Sequence, residues 1–230
     1  MTIWQHLEEL RKRLLYMLIA LVLGGVVSLI FADFLLQVIA RPIGGFEQLL
    51  SIQVTENLSV YFRVTLLSGF IIALPFNLLQ LYLFFAPGLK RNERRWLLRA
   101  VPFATGLFIV GSLFAYFVMM PTAIPFLVAF PGPKVLPKWE DYVDFVTSLI
   151  FWIGMSFETP LIMFVLAKLG IIDAKGLAKQ WRIAVIAIAV IAAVVTPTPD
   201  PVNMAILMAP LLLLYLLGIL LAAMARKKAD

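Results

Sequence analysis

The chain contains no cysteine and only one histidine, His6. The first absence excludes a disulfide framework, a thiolate metal site and a cysteine nucleophile. The second leaves too few imidazoles for a histidine metal cluster. Charge is scarce too: 14% of the 230 residues are charged, 63% are hydrophobic, and the mean hydropathy is +1.00. A soluble domain runs nearer half apolar and about a quarter charged, so this composition is that of a membrane protein. The apolar runs are long and lack period-two alternation, which points to spanning helices rather than a barrel. The sequence has no phosphate-binding glycine loop, nucleophile elbow, HExxH motif or cofactor box. Nothing in it supports an enzyme or a bound cofactor.

Six apolar runs set the expected architecture. A charged amphipathic N-terminus, with Thr2 and Gln5 spaced as a capping box, is read as a surface helix leading into a first span over 14–36. A full-length apolar run after a charged dozen residues, with no small-residue cleavage site, argues against a cleavable signal peptide. A connector over 37–57 carries Arg41-Pro42 and Gly44-Gly45 as turn signals. The second span, 58–85, contains Pro75, where a kink is expected. A basic loop follows, then a third span over 100–120, after which Pro121 and Pro125 are expected to break the chain into a second connector. The fourth span covers 142–167. The fifth, 181–196, has 16 residues, roughly 24 Å of helix against a core of about 30 Å. A rigid turn, Thr-Pro-Thr-Pro-Asp-Pro, leads to a sixth span over 202–224. No internal repeat is evident, and residues 1–230 are expected to form a single membrane domain.

Orientation follows from the basic residues. The N-terminus, the 90–99 loop, the 168–182 linker and the C-terminus carry fifteen of the 19 Lys and Arg; Arg41, Arg63, Lys134 and Lys138 mark the other side. The positive-inside rule therefore places both termini in the cytoplasm, as six spans require. The net charge of +6 gathers at the ends of apolar runs, a pattern of topology rather than of nucleic-acid binding.

Three acidic features stand out. Glu158 is an ionisable residue deep within a span, about 24 Å of helix from Tyr142 and about 15 Å from Lys168. A carboxylate in lipid faces a partner, water or a pathway, or is held protonated by a neighbouring helix. Glu93 lies alone among Lys90, Arg91, Arg94, Arg95 and Arg99 in the segment 84–99. With Glu8 and Glu9 it could offer carboxylates to a guanidinium, whose planar fork matches them. Spacing alone favours ordinary i,i+4 pairs, Glu8 with Lys12 and Glu9 with Arg13. Asp200 is placed to cap the sixth helix, with Pro201 as its first residue.

Five segments, in this order, resemble the TatC family, the six-span subunit of the twin-arginine protein translocase. They are HLEELRKRLL at 6–15, FFAPGLKRNERR at 84–95, FAYFVMMP at 114–121, SFETP at 156–160 and TPTPDP at 196–201. The resemblance covers nearly the whole chain. It implies an all-α, glove-like concave bundle in the bacterial inner (plasma) membrane, with short fifth and sixth helices. It also implies recognition of signal peptides bearing an Arg-Arg pair and export of folded proteins on the proton motive force. By that similarity Glu9 and Glu93 engage the two arginines, and Arg11, Phe84, Pro87, Leu89, Arg94 and Arg95 shape the same patch. Glu158 matches a buried glutamate implicated in contacts with partner helices or the inserted signal. Pro42 and Tyr116 also match family positions. The implied partners are the single-span TatA- and TatB-type subunits, signal peptides, the bilayer and further copies of the chain.

Two positions depart from the pattern. Asn57-Leu58 stands where the family has Pro-Phe, and Met204 where it has a glutamine, with Asn203 beside it as the nearest polar substitute. From the residues alone, a proton-coupled small-solute transporter built on Glu158 is the competing reading. The basic residues around Glu93 also suggest a selectivity role. Neutralising Arg94 and Arg95 together is expected to narrow the preference for Arg-Arg over Lys-Lys signals, measured by competitive peptide binding; unchanged discrimination would count against it.

Overall fold

The structure is a computed structural model that describes residues 3–88, 90–128, 136–195 and 201–226, with side chains at all of these except 3, 91–93, 126, 127, 202, 203 and 226. Thr2, Leu89, the 131–133 turn, Asp200, and the side chains of Glu93 and Asn203 lie outside what it describes. The described residues are almost wholly helical: α1 (Ile3–Ile30), α2 (Ala32–Ala40), α3 (Glu56–Phe85), α4 (Arg91–Phe114), α5 (Met120–Val128), α6 (Trp139–Phe157), α7 (Thr159–Lys168), α8 (Ala174–Lys179), α9 (Trp181–Val195) and α10 (Pro201–Arg226). Helices satisfy every backbone donor and acceptor within the segment, which lipid demands. Among the described residues, five stretches are long and apolar enough to cross a membrane, and α9 is a shorter apolar helix. Its 15 residues extend roughly 22 Å, so a short helix lies where the short fifth span was expected.

The structure corrects several expected boundaries. The basic segment is not a loop throughout. A 3₁₀ turn, Ala86–Gly88, ends α3, and α4 starts at Arg91, so Glu93, Arg94, Arg95 and Arg99 ride on a helix. Arg94 N–H donates to the Lys90 carbonyl at 2.9 Å, extending the helical bonding back to residue 90. Charged residues at helix ends outside lipid carry helical structure as readily as apolar ones, so the apolar run under-reports the helix. Pro121 does not open a connector either. A five-residue π stretch, Ala115–Met119, joins α4 to α5 without a break, and Pro121 follows it inside the continuous helix. Helix α3 runs without interruption past Pro75. The fourth span is instead divided, by a turn at Glu158 with Pro160 in the first turn of α7.

The chain forms two compact units, Met1–Gly106 with Leu136–Thr147, and Leu107–Val135 with Ser148–Asp230. In the first, α1 packs on α3 through glycines. A Cβ on Gly69 would lie 2.6 Å from Gly25 N, and one on Gly24 would lie 2.5 Å from the Gly69 carbonyl oxygen. Only glycine allows two helix backbones this close, the usual solution where no hydrophobic effect drives helices together in lipid. In the second, α10 lies on α7. Gly218 faces Met163 and Pro160, while Ala167, Ala222 and Ala225 form a small-residue core. Tyr215 Oη donates to the Leu177 carbonyl at 2.8 Å, tying α10 to α8.

The first unit also holds a polar clasp away from the basic end. Glu56 is 1% exposed and folds back on the chain before α3, accepting from the N–H groups of Ile52 at 3.1 Å and Gln53 at 2.8 Å. Lys138 Nζ lies 3.5 Å from Glu56 and 3.1 Å from Glu140. Leu50 pairs with the segment before α6: its N–H donates to Pro137, and its carbonyl accepts from Trp139 N–H at 2.8 Å. Tyr142 Oη donates to the Ile39 carbonyl at 2.8 Å. Arg63 and Asp144 form an ion pair within the same unit. The hydrogen bond to Glu140 and the Glu56 charge push Lys138 above its ordinary value of 10.5 against the opposing effect of burial. The clasp is therefore fully present at neutral pH and loosens only as pH rises past that value. Glu56→Ala removes the acceptor of two main-chain N–H groups as well as one of the two carboxylates beside Lys138. It is expected to lower the melting temperature in detergent more than Lys138→Ala does, as read by thermal unfolding.

Candidate functional site

Besides the clasp, two further clusters of polar groups are found among the described residues, one in each unit. The first gathers at the basic end. The α1–α3 contact brings the start of α1 alongside the end of α3, where the His6 ring stacks on Phe84 with centroids 4.4 Å apart. Two turns further along α1, Arg13 bridges the two helices. Its Nε and Nη2 donate to Glu9 Oε1 at 3.1 and 2.7 Å, and its Nη1 donates to Gln80 Oε1 at 3.1 Å. The start of α4 joins through Arg94, whose Nε donates to the hydroxyl of buried Tyr82 at 3.3 Å. The Arg99 guanidinium lies over the Trp96 ring at 5.8 Å. An open groove of about 470 Å³ runs along α1, lined by Gln5, Glu8, Glu9, Lys12, Arg13 and Tyr16.

Of the residues singled out from sequence, Phe84 thus lies at the end of α3, Glu9 is linked to it through Arg13 and Gln80, and Arg94 through Tyr82. Pro87 is exposed in the 3₁₀ turn, and Arg11 and Arg95 are exposed on α1 and α4. Glu93 is the third residue of α4, a position where the helix dipole favours an acid. The Glu9–Arg13 pair forms as the spacing allows. Lys12 instead lies over the Tyr16 ring at 5.9 Å. Sequence reading missed Gln80, Tyr82 and the stacking role of His6. An amide in an apolar stretch, one turn before Phe84, was the available signal for Gln80.

The second cluster surrounds Glu158, 8% exposed at the turn between α6 and α7. The backbone of Phe108 reaches its carboxyl group, while Oε1 has no hydrogen-bond partner among the described residues. Ser112 Oγ is likewise buried and unpartnered among them. Glycines create the space here: a Cβ on Gly154 would lie 2.8 Å from Phe108 Cε2 and 3.0 Å from Ser112 Oγ. A Cβ on Gly111 would meet the Phe157 ring at 2.8 Å. Tyr116, in the π stretch, packs edge-on against Phe117 at 4.9 Å. Pro42 is half-buried in a 3₁₀ turn after α2. Asp200 and Asn203 were singled out from sequence, and they lie outside the described side chains. Among the described residues no group of three or more His, Asp or Glu could hold a metal ion.

Comparison with known proteins now bears on these sites. Residues 5–210 match the family described as Sec-independent protein translocase protein (TatC). The chain is 34% identical over 231 residues to a Sec-independent protein translocase protein TatC of Carboxydothermus hydrogenoformans, covering 99% of this chain and 95% of that protein. It is 35% identical to the TatC protein of Deinococcus radiodurans, covering 97% and 86%. A crystal structure of the twin-arginine translocase receptor TatC superposes with a TM-score of 0.84 at 33% identity, covering 96% of this chain and 99% of that one. A second, obtained in the detergent DDM, gives 0.86 at 32% identity, covering 94% and 99%.

The glycine packing makes a direct prediction. Gly154→Ala puts a methyl group into Phe108 and Ser112, and overpacking of this kind costs roughly 1–3 kcal/mol. A drop in thermal stability is expected, whereas Gly106→Ala, with open space around it, should leave stability nearly unchanged.

Proposed function

Since the chain belongs to the TatC family, we propose that it is the signal-peptide receptor of a twin-arginine translocase, reading the Arg-Arg pair at the joined ends of α1, α3 and α4. It is a multi-pass, helical membrane protein and a translocase component. The observation that carries the receptor reading is the convergence of Glu9, Phe84 and Arg94 on the end of α3, with Glu93 in the first turn of the adjoining helix. A carboxylate held among cations suits a guanidinium, which is weakly hydrated and bonds two acceptors at once. In this reading the basic end faces the cytoplasm, α9 completes a sixth crossing, and residues 1–230 act as one membrane domain. The membrane is the bacterial inner membrane, crossed by folded substrates on the proton motive force.

Glu158, buried with an unused oxygen, serves a polar group on a neighbouring helix, either a TatA- or TatB-type subunit or the inserted signal. Further copies of the chain complete the complex. Small-solute transport, the alternative that Glu158 left open, gains no support from the relatives above.

Glu93→Ala is expected to weaken binding of an Arg-Arg signal peptide by about tenfold or more, while membrane insertion is unchanged. Site-specific crosslinking from position 93 to the signal checks the placement. Undiminished binding by the variant, together with no crosslink, would refute it.

A further inference from the structure

Glu9 does not present a bare carboxylate. Both Arg13 bonds to it fall on Oε1, while Oε2 is buried and has no hydrogen-bond partner among the described residues. The two side chains are 18% and 21% exposed, well short of a solvated surface pair. Arg13 is also anchored from the far side: its remaining Nη1 bond goes to Gln80, which is 6% exposed on α3. The acid best placed to receive an external guanidinium is therefore already occupied by an internal one.

We propose that Arg13 is a resident stand-in for the signal arginine, and that an incoming guanidinium reaches Glu9 only by exchanging with it. The inference rests on the reading of Glu9 as a receiver of signal arginine. Gln80 makes the exchange feasible. When Arg13 leaves Glu9 it keeps the Nη1 bond to the amide, so the released cation is not orphaned between the helices. The groove bounded by Gln5, Glu8, Lys12 and Tyr16 supplies the approach. Replacing one charge-assisted guanidinium–carboxylate pair by another is nearly balanced, so a lone cation gains little. A lysine ammonium is strongly hydrated and lacks the planar fork, so it competes poorly with a resident arginine. Arg13 thereby raises the threshold for occupancy, and only a signal that adds contacts elsewhere on the patch crosses it.

The test uses the intact chain in lipid vesicles and a fluorescent Arg-Arg signal peptide. Arg13→Gln removes the competitor and is expected to tighten binding roughly threefold to tenfold. Arg13→Lys, which keeps the charge but loses the fork, should tighten it less. Gln80→Leu strands the released guanidinium and should weaken binding by a similar factor. Combining Gln80→Leu with Arg13→Gln should restore the affinity of Arg13→Gln alone. If Arg13 only orients Glu9, both single substitutions weaken binding and the double variant is no better, which would overturn the exchange. Glu9→Gln separates the two levels. If it binds as the native chain does, the receiver role of Glu9 itself fails. If it binds weakly while neither Arg13 variant tightens binding, the exchange alone fails.

Discussion

The first compact unit depends on a backbone contact between α1 and α3. At Gly24 and Gly69 the helices approach so closely that a single added methyl group would meet main-chain atoms of the other helix. Lipid tails are as apolar as leucine, so association of these helices has to come from van der Waals contact and polar bonds across the seam. The glycines supply the first, and Arg13 with Gln80 supplies the second nearer the basic end. The stack of His6 on Phe84 extends the same seam by another two turns of α1. The proposed receptor patch is thus a consequence of helix packing and not a separate loop structure.

The two ends of this unit are stabilised in different ways. At the basic end the contacts run between side chains on regular helices: Glu9 to Arg13, Arg13 to Gln80, Arg94 to Tyr82. At the other end they run through irregular backbone, with Glu56 accepting two main-chain N–H groups and Leu50 pairing with the residues before α6. Side-chain pairs between helices can exchange partners without unfolding anything. A carboxylate that satisfies main-chain donors cannot. This contrast assigns adaptability to the basic end and rigidity to the clasp.

Much of this was legible in the sequence. The apolar runs gave the helices and their order, and the short run at 181–196 gave the truncated α9. Five ordered motifs gave the family resemblance that the comparisons bear out. Apolar run length failed at charged helix ends, so α4 was read as starting several residues late. Proline was given too much weight as a breaker at one point: Pro121 follows the π stretch inside a continuous helix and does not begin a connector. Pairings between residues distant in the chain, such as Glu56 with Lys138, Arg63 with Asp144 and Arg13 with Gln80, leave no periodic trace. One sequence cannot show which polar residues face each other across a helix seam.

The central claim is that the joined ends of α1, α3 and α4 receive the arginine pair of a signal peptide. The absence of cysteine makes the chain well suited to a single introduced probe. A photo-crosslinker at position 8, exposed and beside Glu9 on α1, would report on the patch directly. In membranes containing the assembled translocase, the account predicts adducts to signal residues flanking an Arg-Arg pair and loss of those adducts when the pair is Lys-Lys. Equal adduct yields for the two signals would contradict it.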